Sequence, residues 1–309
     1  MENERTILVG MNGKPEGGSA LAAARMLAKQ TGFELVLLHV TDPAVLHGHE
    51  TPEHATSVDQ ILEWQISNAH HYLATREKQL VGEGVVVRTV AALGKPAEVI
   101  VRTAREVNAA MIVMVTYARV GLARWMLGST ADEVMEMADR PVLLVKAGSE
   151  LTDDAFSNII LPVDGSPTSE KALPSAIELS HLLKAPVNVV RAVPPAVVTM
   201  STEAMQIAVD DIEEIRRYVW RVATYIEQRT TGAEGHVTAG PAGQQIVSMA
   251  HGTPGSIVVM CTHGHSGFKR AVLGSVTHQV IRRSGRPVLV IPPHAMSSAE
   301  GVHEKAAVA

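Results

Sequence analysis

The strongest constraint on this 309-residue chain is that it is written twice. Arg140-Pro141-Val142-Leu143-Leu144-Val145 returns as Arg286-Pro287-Val288-Leu289-Val290-Ile291, 146 positions later. Gly128-Ser129 returns as Gly274-Ser275 at the same interval. Between Arg119–Val134 and His265–Val280, six of sixteen residues are identical. Near the start, Ile7-Leu8-Val9 through Asn12-Gly13 aligns with Ile159-Ile160-Leu161 through Asp164-Gly165, at an interval of 152. The first copy therefore has the longer middle, which places the extra residues in the loop His47–Thr56. A repeat of this length is a duplicated domain and not a solenoid unit. The implied boundaries are a first domain at 1–147, a linker at 148–157, a second domain at 158–294, and a small, polar tail at 295–309.

Each copy alternates strand and helix patterns. In copy one, strands are expected at Thr6–Met11, Leu35–Val40, Val85–Ala91, Met111–Thr116 and Val142–Val145. Helices are expected at Ser19–Gln30, Val58–Leu80, Pro96–Glu106 and Ser129–Ala138. In copy two, the strands are Ile159–Val163, Val187–Val193, Glu234–Ala239, Ser256–Cys261 and Val288–Ile291. Its helices are Ser169–Leu183, Glu203–Thr230, Ala242–His251 and Ser275–Arg283. Alternation of this kind predicts an α/β protein with two tandem, doubly wound, Rossmann-like or flavodoxin-like sheets. Each would be parallel and five-stranded, with helices on both faces.

Composition agrees with that architecture. The chain is 46% hydrophobic and 19% charged, which excludes a disordered or fibrous protein. Three Trp, four Tyr and three Phe leave the cores to Val, Ile, Leu, Ala and Met, as buried parallel strands require. So few aromatics also argue against base-stacking platforms for single-stranded nucleic acid. The formal charge of −5 offers no basic excess for nucleic acid or an anionic membrane. Met1–Thr6 is polar and shows no signal-peptide pattern. Apolar runs such as Ala109–Val115 are far too short to span a membrane. A single cysteine, Cys261, cannot form an intrachain disulfide. The expected setting is the cytoplasm.

In open parallel sheets, ligands bind beyond the carboxyl ends of the strands, where the strand order reverses. The informative residues are therefore those that follow strands. In copy two, Pro162-Val163-Asp164-Gly165-Ser166 follows the first strand. Met260-Cys261-Thr262-His263-Gly264-His265-Ser266-Gly267 follows the fourth, and Gly274-Ser275-Val276-Thr277 opens a helix. Glycines let backbone approach phosphates, and a helix N-terminus supplies N–H donors and partial positive charge. Ser275 and Thr277 add hydroxyls, and Asp164 can accept hydrogen bonds from ribose. The same residues also fit a plainer role, with Gly264 and Gly267 as turn residues and Ser275 as a helix cap.

Thr262-His263-Gly264-His265-Ser266-Gly267 followed by Leu273-Gly274-Ser275-Val276 resembles the phosphate loop of the universal stress protein family. Its ATP-binding members carry G-x-x-G, nine residues, then G-[S/T]. Nine residues separate Gly264 from Gly274 here. Asp164 stands where that family places a nucleotide-contacting Asp, and Arg286–Ile291 resembles its last strand. The resemblance spans most of residues 5–294. It implies a tandem universal stress protein that binds ATP, with Mg2+ as a possible companion, in a stress-response role. By resemblance, adenine and ribose would lie near Pro162, Val163, Asp164, Ala192 and Met260. The phosphates would lie on Gly264, Gly274, Ser275, Val276 and Thr277. The family's pairing habit further implies that Val142–Val145 and Val288–Ile291 pair within one chain as a pseudo-dimer, with a homodimer as a further option.

The copies depart from the motif unequally. Copy two replaces the first motif glycine with Cys261. Copy one has Val115 and Ala118 at the two glycine positions, Tyr117 for His263 and Asn12 for Asp164. Its weaker equivalents are Asn12, Val40, Gly128 and Ser129. Copy one is therefore expected to bind ATP weakly or not at all. No paired carboxylates, activated nucleophile or Walker-type lysine is apparent, so at most slow ATP hydrolysis is expected. Two alternatives stay open: an adenine-nucleotide hydrolase or ATP pyrophosphatase, and a nucleotide-free interaction scaffold. The first would want an S-G-G-x-[DS] loop that Gly165-Ser166-Pro167-Thr168 does not supply. His47, His49 and His54, or His263 and His265, lack the partners of a firm metal motif. Cys261 reads either as a redox sensor or as a small buried apolar residue. Trp64 and Trp220 lie on the long helices and could mark a partner surface.

Overall fold

A computed structural model describes residues 5–14, 17–45, 58–117, 127–193, 202–262, 273–292 and 294–295. The chain divides into two compact units, Met1–Glu150 and Leu151–Ala309.

Unit one contains β1 (Thr6–Met11), α1 (Gly18–Thr31), β2 (Glu34–Thr41), α2 (Val58–Gly82), β3 (Val87–Leu93), α3 (Pro96–Glu106), β4 (Ala109–Thr116), α4 (Ser129–Met137) and β5 (Val142–Lys146). Its strands lie in the order β3-β2-β1-β4-β5, and every pair is parallel. Ile7, Leu8 and Val9 at the sheet centre are fully buried. Such runs lack polar alternation because helices cover both faces. The strand order moves one way from β1 to β3 and the other way from β4 to β5. Right-handed crossovers therefore put α1 and α2 on one face, and α3 and α4 on the other. Buried Ala20, Ala23, Ala24 and Ala28 let α1 approach the strands closely.

Unit two contains β6 (Asn158–Pro162), α5 (Pro167–Glu170), α6 (Leu173–Leu183), β7 (Val187–Val193), α7 (Thr202–Glu227), β8 (Ala233–Ala239), α8 (Ala242–Gly252), β9 (Ser256–Cys261), α9 (Ser275–Arg283) and β10 (Val288–Ile291). Its order is β8-β7-β6-β9-β10, again all parallel. Each unit is thus the doubly wound α/β sheet expected, and both reverse strand order at the same place, β1/β4 and β6/β9.

Three local differences have clear causes. The helix expected over Ser169–Leu183 is broken into α5 and α6. Pro174 in the first turn of α6 has no N–H to bond the Glu170 carbonyl, so the chain restarts at Leu173. The strand expected at Val85–Ala91 lies at Val87–Leu93, because pairing with β2 runs from Leu35↔Val87 to Thr41↔Leu93. Apolarity alone placed it too early, since Val86 is 66% exposed. Finally, the end of the stretch read as a linker is built into unit two. Ala155 and Phe156 are buried, and the next residue but one, Asn158, donates to the Pro254 carbonyl at 3.4 Å. Among the described residues, Phe156 is the largest of the fully buried side chains.

Candidate functional site

The strand-order reversal in unit two brings the carboxyl ends of β6 and β9 side by side. Pro162 ends β6 and is half-buried, and Val163 is buried with its N–H donated to the Val190 carbonyl at 2.9 Å. Asp164 follows, half-buried, as the last residue before the turn into α5. Its Oδ1 accepts the Ser166 N–H at 2.9 Å, and its own N–H donates to Ser169 Oγ at 3.3 Å. Ser166 caps α5 by accepting the Ser169 N–H at 3.1 Å. Ser169 Oγ returns a hydrogen bond to the Ser166 carbonyl at 2.9 Å. The turn that presents Asp164 is therefore closed on itself.

On the β9 side, Met260 and Cys261 are buried. The Cys261 sulfur lies 3.9 Å from the Ser169 carbonyl. Burial pushes its thiol up to about 12, with the Asp164 charge adding to the rise and Lys171 opposing it. A thiol that stays protonated and covered is a poor redox sensor. Thr262 is buried, and its hydroxyl has no hydrogen-bond partner among the described residues. Its carbonyl accepts the Gly274 N–H at 2.7 Å, which joins the end of β9 to the start of α9. Gly264 and the rest of residues 263–272 lie outside the described residues.

Gly274 is the N-cap of α9. Ser275 is exposed and Val276 half-buried, both in the first turn. The first N–H groups of a helix have no partner within it, and no acidic side chain stands in this turn, while Arg282 and Arg283 occupy the last. Both features favour an anion at the N-terminus. Thr277 is 2% exposed. Its hydroxyl donates to the Cys261 carbonyl at 3.0 Å and lies 3.3 Å from the Thr262 carbonyl. Thr277 thus fastens α9 to the end of β9, and its side chain is engaged there. Ala192, near the end of β7, is half-buried.

Sequence reasoning missed the group behind the Asp164 turn. The Arg191 guanidinium lies against Gly165: a Cβ on that glycine, whose φ is +81°, would meet Arg191 Nη1 at 2.9 Å. Arg191 also stacks on the Tyr218 ring of α7, 5.2 Å from its centroid. The Tyr218 hydroxyl donates to Glu170 Oε1 at 2.9 Å. Burial, then the negative charge of Glu170, hold this phenol protonated well above its usual range. The repeat itself carried the signal, since Tyr218 stands 146 residues after Tyr72 and Arg191 stands 152 after His39.

Unit one builds the same corner from neutral parts. Asn12, after β1, donates from Nδ2 to the Tyr117 hydroxyl after β4. This hydrogen bond crosses the reversal point. Asn12 Oδ1 accepts the Lys14 N–H at 3.0 Å. His39 covers Gly13, where a Cβ would meet its Cε1 at 3.1 Å, and touches Tyr72 edge-on at 5.9 Å. Burial lowers the His39 pKa, against a smaller opposing effect of the Met11 backbone, and Nδ1 is buried with no hydrogen-bond partner among the described residues. Val40 is half-buried. Gly128 caps α4 at φ 113°, ψ 138°, and Ser129 is exposed. Asp132 brings a carboxylate into the first turn of α4.

Among the described residues no group of three or more His, Cys, Asp or Glu could hold a metal ion. His47, His49, His54, His263 and His265 lie outside them. No helix among the described residues is long and apolar enough to cross a membrane. Trp64 is half-buried, whereas Trp220 is 69% exposed on α7.

Comparison with known proteins adds the family. The model of the universal stress protein family matches residues 4–146 and again 155–292. A universal stress protein of Mycolicibacterium smegmatis is 27% identical over 303 residues, covering 94% of this chain and 98% of that protein. Universal stress protein YxiE of Bacillus subtilis is 32% identical over 146 residues, 45% of this chain and 97% of its own length. A universal stress protein structure from Archaeoglobus fulgidus superposes with a TM-score of 0.69 at 17% identity, covering 94% of this chain and 99% of that one.

Proposed function

Since the chain belongs to the universal stress protein family, carrying its domain twice, we propose that it is an ATP-binding regulatory protein whose nucleotide sits mainly in unit two. The observation that carries this reading is the corner formed by the Asp164 turn, the end of β9 and the acid-free first turn of α9. Asp164 would hold ribose hydroxyls, with Pro162, Val163, Ala192 and Met260 around the adenosine. Backbone N–H groups of Ser275, Val276 and Thr277 would hold phosphates, together with Gly264 and Gly274, and Mg2+ would accompany them. The chain's residues fit such a ligand in one further respect. The buried Thr262 hydroxyl lacks a partner among the described residues, and an unmet buried polar group costs about 1–3 kcal/mol unless a ligand, water or other group satisfies it.

Unit one opposes the same ligand three times. Asn12 removes the carboxylate, the Asn12–Tyr117 hydrogen bond bridges the crevice, and Asp132 sets a negative charge where phosphate would bind. The reading is therefore one nucleotide per chain, used for binding and signalling with at most slow hydrolysis.

Calorimetric titration of the full chain with Mg-ATP tests this. One site per chain is expected, together with ATP or ADP released on denaturation. No heat, no thermal shift and no released nucleotide would favour a nucleotide-free scaffold. Rapid turnover would favour a hydrolase.

A further inference from the structure

The groups surrounding the β6–α5 turn are exchanged as a set between the copies. Asp164, Glu170 and Arg191 stand where unit one has Asn12, Gly18 and His39, each pair 152 residues apart. Tyr218 stands where unit one keeps Tyr72. Three charged side chains thus face three uncharged counterparts around the same tyrosine, with His39 held toward its neutral form by burial.

The charged set has a mechanical arrangement. Successive strand residues point to opposite faces, so Arg191 lies on the other side of the sheet from Ala192. There its guanidinium lies beside Gly165, in the space a Cβ would enter, and the positive φ of that residue favours glycine. The Tyr218 ring supports the guanidinium from α7, and its hydroxyl donates to Glu170 at the end of α5. The turn is therefore flanked by Arg191 at Gly165, and the α5 that follows it is held at Glu170; Asp164 is the residue the turn presents.

We propose that Arg191, braced by Tyr218 and Glu170, is a positioning residue that aims the Asp164 carboxylate at the ribose of the bound nucleotide. This rests on the ATP reading above. Arg191 acts through Asp164 and does not itself touch the ligand. Its effect therefore falls on recognition of the ribose hydroxyls and spares the phosphates.

The test compares Mg-ATP with an ATP analogue lacking both ribose hydroxyls, by calorimetry on the full chain. Wild type is expected to prefer ATP by about tenfold or more, the weight of a hydrogen bond to a charged group. Arg191→Met is expected to lose most of that preference through weaker ATP binding, with the analogue unchanged. Arg191→Lys, which keeps the charge, recovers part of it, and Tyr218→Phe falls between. Thermal melts establish that each variant is folded. Should Arg191→Met fail to fold, Arg191→Lys and Tyr218→Phe decide by the same ratio. A folded variant set that keeps the wild-type preference overturns the positioning role, as does equal weakening of both ligands. A wild type that binds no ATP overturns the functional reading first, and this role with it.

Discussion

Unit one and unit two have the same strand order and the same reversal point, yet they differ where the strands end. In unit two, charged groups are spread over a turn held from behind, and the helix across the crevice is free of acids in its first turn. In unit one, the crevice is bridged by Asn12 and Tyr117, and the facing helix carries Asp132 in its first turn. Duplication preserved the buried strands in both copies, because any polar or mis-sized residue there costs stability directly. The strand ends are tolerant of change, so the two copies separated in chemistry there while keeping one fold.

The largest effect should come from making unit two resemble unit one. Asp164→Asn, the residue unit one carries, is expected to weaken ATP binding by about tenfold to a hundredfold, the range for a lost charge-assisted hydrogen bond. Calorimetry reads this directly. Unchanged affinity would break the comparison at its centre.

The helix caps should respond next. Gly128 is held at φ 113°, whereas its counterpart Gly274 is at φ −57°, which any residue adopts. Gly128→Ala is expected to cost about 1–3 kcal/mol through backbone strain. Gly274→Ala should cost less than half as much. Chemical denaturation of the two variants compares them, and equal losses would show that the caps do not differ.

The smallest effect concerns pH. His39 has a folded pKa below its unfolded value of 6.5. The unfolded chain therefore binds the proton more readily. The stability His39 contributes is present above that unfolded value and is lost as pH falls below it. Melting the wild type and His39→Gln at pH 7 and pH 5 should show the variant losing less on acidification, by under about 1 kcal/mol. An identical pH response in both proteins would remove His39 as the source.

Much of the fold was legible because the cues are local. Pro96–Glu106, Ser256–Cys261 and Ser275–Arg283 have the bounds their apolar pattern and caps predict. The break at Pro174 was also present in the sequence, but the apolar period across it masked the missing donor. β3 was misplaced because an edge strand takes its ends from its partner's hydrogen bonds, and those involve β2, about fifty residues away. The candidate site was legible only where motif residues follow strands. Thr277 appeared as a free hydroxyl for a phosphate, yet in the fold it is spent on the Cys261 carbonyl. Arg191, Tyr218 and Glu170 went unnoticed because a strand, a long helix and the short helix α5 meet only in space.

From its sequence alone, this protein's duplication, its doubly wound α/β class and the unequal motifs of its copies follow. Each is encoded in residue identity and short-range spacing, which depend little on distant contacts. Which hydroxyls are engaged, that Asn12 reaches Tyr117 and that a guanidinium lies against Gly165 were decided by tertiary structure. These depend on which side chains meet when separate strand ends are brought within a few ångströms, and hydrogen bonds and packing contacts act only over that range.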